Sequence, residues 1–189
     1  MNLNNIEFWA FNPYVHFYRC NGLHDMLKST FPINYYTQKH NDSKEKREKE
    51  LIANFDLSPN EFPSLVNILN IIINEYYWIG KPFTMSKVAV YYQTNLDNRS
   101  IFHSHIQTSS ITATTYIDPP EEGEGGELQL YTPMEGKINI QPSKDIIYFF
   151  PSWLLHRPLP QTRKEPRICL NLGFNTNIRP THKLTADRW

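Results

Sequence analysis

Apolar and polar positions alternate in two different ways along this chain, and the change falls near residue 84. Before it, the recurrence is helical. In "NGLHDMLKST", Leu23, Met26 and Leu27 share one face of a short helix. In "SPNEFPSLVNILNIIINEYYWIG", Phe62, Leu65, Val66, Leu69, Ile72, Ile73 and Tyr76 recur at helical spacing. Ser58 and Glu61 have capping-box spacing with Pro59 between them, Pro63 sets the regular start, and Gly80 is a natural stop. The charged run "NDSKEKREKELIANF" reads as a solvated, mixed-sign surface helix. After residue 84 short runs rich in β-branched and aromatic residues take over: "TMSKVAVYYQ", "IFHSHI", "SSITATTYID", "GELQLYT", "GKINIQP", "KDIIYFF" and "PRICLNLGFNT". Turn residues separate them, which predicts about seven or eight strands in a sandwich or barrel.

The expected architecture is therefore mainly β with supporting α. It is one domain, with a helical support region over 1–83, a β-barrel core over 84–177 and a tail over 178–189. The helices are expected to pack on one side of a sheet. A chain of 189 residues suits a single core.

Composition changes this picture little. Lys plus Arg and Asp plus Glu are 19 each, a neutral balance that argues against nucleic acid as the main partner. Eleven Tyr and eleven Phe predict an aromatic core and pocket. Cys20 and Cys169 lack C-x-x-C spacing and read as free thiols of a reducing compartment. The start "MNLNNIEFWAF" has no basic region followed by an apolar run, and no stretch of about 18 apolar residues occurs. The expectation is a soluble, cytoplasmic protein without a membrane partner.

The candidate chemistry sits in "FHSH". Side chains two apart on a strand face the same way, so a strand here would aim the His103 and His105 imidazoles into one space. His156 follows the apolar run "DIIYFF" and the segment "PSWLL". Three such ligands leave coordination positions open, as oxygen-activating iron requires, whereas a structural zinc site is closed by four. Arg167, at the start of the next run, can hold a carboxylate with both prongs of its guanidinium. The acidic loop "PPEEGEGGE" lacks the ligand spacing of a calcium loop and reads as a solvated hairpin loop. His16, His24, His40 and His182 have no paired spacing, and "NLDNRS", just before the histidine pair, is a place for a substrate entrance.

Residues 85–177 resemble the catalytic core of Fe(II)- and 2-oxoglutarate-dependent oxygenases of the prolyl-hydroxylase-like branch. The family pattern is His-x-Asp or His-x-Glu, a distal His, then a basic residue. Its counterparts here are His103, His105, His156 and Arg167, with "GGEL" at Gly125–Leu128 matching the family's GG-x-L. The resemblance implies a double-stranded β-helix fold, and Fe(II), 2-oxoglutarate and O2 as cofactor and co-substrates. It implies that Arg167 and Tyr116 share the far carboxylate of 2-oxoglutarate, with Tyr91, Leu128 and Asn171 on the pocket wall. The substrate would be a peptide, an amino acid or another small molecule, hydroxylated with release of succinate and CO2.

His105 stands where most relatives carry an acid. It is read as a true ligand of a three-histidine site. One alternative leaves it out of the metal sphere, as in halogenating relatives; another has a nearby acid serve instead. A three-histidine cupin-type dioxygenase that uses no 2-oxoglutarate, and a non-catalytic barrel binding module, stay open as well. The cupin pattern carries a glutamate soon after His-x-His, which "IQTSSITATTY" lacks. The position of Arg167 discriminates between these readings.

Overall fold

A computed structural model describes residues 6–44, 52–74, 83–94 and 101–176. Among the described residues, ten strands form two antiparallel sheets. The larger has the order β1 (Ile6–Asn12), β2 (Val15–Cys20), β8 (Ile146–Pro151), β5 (Ile111–Asp118), β10 (Arg167–Thr176), β4 (Phe83–Gln93), β3 (Ile52–Leu57). The smaller has the order β7 (Gly136–Ile140), β6 (Leu128–Thr132), β9 (Leu155–Pro158). Three helices precede β4: α1 (Leu23–Thr30), α2 (Ile33–Lys44) and α3 (Pro63–Ile72).

Period-two alternation divides the large sheet into two faces. Ile168, Leu170, Leu172 and Phe174 of β10 join Val88, Val90 and Tyr92 of β4 and Ile147 and Phe149 of β8 in a core shared with the helices. The intervening positions, Tyr116 of β5, Tyr148 and Phe150 of β8 and Cys169 of β10, pack with Leu128, Leu130 and Ile140 of the small sheet. Both faces are therefore buried, which is why "IIYFF" reads as a continuous apolar run rather than an alternating one.

The helices are held by burial rather than propensity. A helix the length of α3 is marginal in isolation. Leu65, Leu69 and Ile72 are fully or almost fully buried, each contributing about 1.5–3 kcal/mol. The Ser58 N–H donates to Glu61 Oε1 at 3.2 Å, so the capping pair caps the 3-10 turn Pro59–Glu61, and the regular helix begins at Pro63. Asn70 and Asn74 tie the end of α3 to the start of β4: Phe83 N donates to Asn74 Oδ1 at 2.6 Å and Met85 N to Asn70 Oδ1 at 3.0 Å.

Several expectations change. The segment 1–83 is not only helical, since it supplies β1, β2 and β3. Of the charged run, residues 41–44 are helical and residues 45–51 lie outside the described residues, while Ile52–Leu57, at its far end and beyond, is a strand paired with β4. The "IFHSHI" strand does not form. His103 makes a lone bridge to His156, and the chain turns immediately afterwards, with Thr108 N donating to His105 O at 2.9 Å. Tyr76 and Gly80, "NLDNRS" and the tail 178–189 lie outside the described residues. Among the described residues no helix is long and apolar enough to cross a membrane.

Candidate metal and co-substrate site

The three histidines converge without a common strand. His103 and His156 exchange backbone hydrogen bonds of 3.0 and 2.9 Å, and His105 N donates to Ser152 O at 2.8 Å. Hydroxyls of Ser109 and Thr112 meet that of Ser152 at 2.9 and 2.8 Å, a buried cluster that fixes the backbone beneath His105. Ring centroids are 4.4 Å apart for His103–His156, 4.9 Å for His105–His156 and 5.2 Å for His103–His105. One ring nitrogen from each lies within 4.8 Å of the others, the only such group of metal-capable side chains among the described residues.

The hydrogen bonds set the tautomers. His156 Nδ1 lies 3.0 Å from Leu154 O and His103 Nδ1 lies 3.1 Å from Ile101 O. A carbonyl oxygen only accepts, so both Nδ1 atoms carry the proton and both Nε2 atoms present lone pairs. Such carbonyl partners are the usual orientation device of metal-ligating histidines. His105 Nε2 sits 3.2 Å from His156 Nε2 and 3.4 Å from Asn171 Nδ2. Burial, with the neighbouring His103 acting in the same direction, lowers the His156 pKa to about 3 and that of His105 to about 4. Both rings are neutral near pH 7, the state that coordinates metal. The lone pair of His156 Nε2 thus faces His105 Nε2, and the two nitrogens converge as two ligands of one cation would.

A cavity of about 230 Å³ adjoins this cluster. Its walls include His103, His156, Arg167, Tyr91, Tyr116, Leu128 and Asn171, all expected from the sequence. His105 belongs to the histidine cluster but does not line the cavity. Arg167, 4% exposed, donates from Nη1 to Gly126 O at 2.6 Å and from Nη2 to Gln93 Oε1. Its Cζ lies 6.0 Å from the Tyr116 ring. No Asp or Glu lines the cavity among the described residues. A buried guanidinium without an acid is costly unless an anion completes it. Burial raises the hydroxyl pKa of Tyr116 and pushes that of Tyr91 up to about 12, so both stay protonated donors.

Gly125 and Gly126 of the GG-x-L segment have φ of 73° and 75°. A Cβ on Gly125 would meet Pro160 O at 2.6 Å, and one on Gly126 would meet Pro120 Cγ at 2.9 Å. The two glycines thus permit the close backbone approach that presents Gly126 O to Arg167. Sequence reading missed Gln93, Thr114, Ile101, Phe150, Pro158 and Cys169 as cavity walls. Gln93 was within reach of it, being two residues from Tyr91 on one strand and so on the same face.

No protein-family model and no curated protein matches this chain by sequence. Solved structures do match in fold. A Phytophthora capsici prolyl 4-hydroxylase aligns with TM-score 0.50 at 18% identity over 75% of this chain, which spans 54% of that protein's length. The viral collagen prolyl hydroxylase of Paramecium bursaria Chlorella virus-1, solved as its 2OG complex, aligns with TM-score 0.54 at 16% identity, covering 89% of this chain and 98% of that one. HygX from Streptomyces hygroscopicus, solved with nickel and 2-oxoglutarate bound, gives TM-score 0.55 at 8% identity over 90% and 83% of the two chains. The chain is similar in fold to solved prolyl hydroxylases and to the 2-oxoglutarate-bound HygX, and it carries a three-histidine cluster.

Proposed function

We propose that the protein is an Fe(II)- and 2-oxoglutarate-dependent dioxygenase that hydroxylates a C–H bond of an amino acid, peptide or small metabolite. In this reading the two sheets are the walls of a double-stranded β-helix barrel. The observation that carries the reading is the pairing of unlike ends in one cavity. His103 and His156 of the histidine cluster line it, the buried Arg167 is on the wall, and no acid lines it among the described residues. A dicarboxylate with a 2-oxo acid end suits both features.

His103, His105 and His156 would hold Fe(II), which when bound supplies activation of O2 coupled to conversion of 2-oxoglutarate to succinate and CO2. Arg167 anchors the far carboxylate, and the Tyr116 hydroxyl donates to it. Tyr91, Leu128, Phe150 and Asn171 shape the wall and exclude water. The exposed Ile101 reaches the cavity and offers an apolar rim for substrate. The neighbours named as prolyl hydroxylases make a prolyl side chain one candidate substrate. Nucleic acid and membrane are not partners in this reading, and the protein works in the cytoplasm.

The triad itself favours one second reading, a cupin-type dioxygenase without 2-oxoglutarate. Arg167 argues against it, because a buried cation beside the histidines has no work there. The test is succinate formation from 2-oxoglutarate with Fe(II) and O2. It is expected in the parent protein, abolished in His156→Ala, and shifted to much higher 2-oxoglutarate concentration in Arg167→Ala. Folded parent protein that yields no succinate would leave the cupin or binding-module reading.

A further inference from the structure

Gln93 faces Arg167 directly across the β4–β10 pair. It is 2% exposed and lines the same cavity. Its Oε1 accepts from Arg167 Nη2, which orients the amide and leaves Nε2 as its free donor. That Nε2 is buried and has no hydrogen-bond partner, and neither has Arg167 Nε. A buried donor left unpaired is costly, so each such group in a folded protein calls for an explanation. Both orphaned donors lie within one cross-strand pair, on the wall of a cavity that no Asp or Glu lines among the described residues.

We propose that Gln93 is a second carboxylate-binding residue: Nε2 donates to the carboxylate that Arg167 anchors, while Oε1 holds the guanidinium in place. Gln93 and Arg167 together form one anion-binding unit. The choice of amide over acid at this position follows. A glutamate at 93 would pair with Arg167 and neutralise it, closing the site to an external carboxylate. Glutamine accepts from the arginine as a glutamate would, yet leaves the positive charge for the ligand and adds a donor. The ligand class selected at this end of the cavity is a carboxylate rather than a neutral group. Another cation is excluded, since Arg167 would repel it.

This inference rests on the co-substrate reading above, and the experiment separates the two. Full-length protein loaded anaerobically with Ni(II) is titrated calorimetrically with 2-oxoglutarate and with pyruvate, a 2-oxo acid lacking the distal carboxylate. Gln93→Glu, close in shape to the parent residue, is expected to weaken 2-oxoglutarate about 100-fold or more. Gln93→Leu is expected to weaken it about tenfold, as loss of one hydrogen bond to a charged group implies. Pyruvate binding should change less than twofold in both. Parent protein that binds 2-oxoglutarate while both variants match it within twofold overturns the role of Gln93 alone. Equal weakening of pyruvate and 2-oxoglutarate also overturns it, because the residue would then act by general distortion. Parent protein that binds Ni(II) but no 2-oxoglutarate overturns the co-substrate reading and this inference with it.

Discussion

At the scale of single residues, the informative positions are those whose chemistry is at odds with their surroundings. His156 is 3% exposed, and burial together with the neighbouring His103 lowers its pKa to about 3. The unfolded chain returns it to the ordinary value of 6.5. Between those values the unfolded state binds a proton that the folded state refuses, so acid favours unfolding. The contribution to the slope approaches about 1.4 kcal/mol per pH unit between about pH 3 and pH 6.5 and is absent above that window. Urea unfolding of the metal-free protein at pH 7, 6 and 5 should show a falling midpoint, and the His156→Gln variant a shallower fall. Equal slopes in the two proteins would mean that His156 is solvated in the folded state. Part of this site was legible from residue type and spacing: His103, His105 and His156 cluster, and Arg167 lines the adjoining cavity, whose walls also hold Tyr116 and Tyr91, which only the family resemblance implied. Ser152 and the pairing of Gln93 with Arg167 were not legible, because a hydroxyl or an amide carries no signal until its partner is known, although the place of Gln93 on the Tyr91 face of its strand was within reach.

Elements explain why the site holds its shape. The GG-x-L segment is a backbone device: positive φ at both glycines and the contact with Pro160 deliver Gly126 O to Arg167. Gly126→Ala places a Cβ at positive φ and 2.9 Å from Pro120 Cγ. Strain of this kind costs about 1–3 kcal/mol. Denaturant unfolding should show that loss, and 2-oxoglutarate binding should weaken with it, since the arginine's acceptor moves. A variant as stable as the parent with unchanged binding would show that the segment adjusts freely. The core strands were readable because their β-branched runs sit between turn residues. The first three strands were harder. "IEFWAFN" and "VHFYRC" are aromatic enough for strands, but they lie in a stretch whose clearest signal is helical. β3 follows a charged helix with no Gly or Pro to mark the change. The histidine segment misled in the opposite way. Its His-x-His spacing suggested a strand, but the rings meet because one bridge to β9 and one bond to Ser152 hold the chain.

For the molecule as a whole, neutrality hides an uneven distribution. Positive and negative side chains balance at 19 each, yet the cavity holds Arg167 and, among the described residues, no acid on its wall. Three neutral imidazoles in place of two and a carboxylate leave any bound divalent ion one unit more positive. A divalent metal and the guanidinium together bring three positive charges, of which a dicarboxylate offsets two. Anything that binds the folded state alone stabilises it, by about 2.7 kcal/mol at a hundredfold excess over Kd. For a chain of this size each kcal/mol raises Tm by about 2–4 °C. Anaerobic Fe(II) with saturating 2-oxoglutarate should therefore raise Tm by about 5–10 °C. Metal alone should give a smaller rise, because the charge of the filled site stays uncompensated. In Arg167→Ala the metal response should persist while the increment from 2-oxoglutarate largely disappears. An equal 2-oxoglutarate increment in parent and variant would show that the arginine does not anchor the co-substrate. A 2-oxoglutarate response that needs no metal would place its binding at the arginine alone.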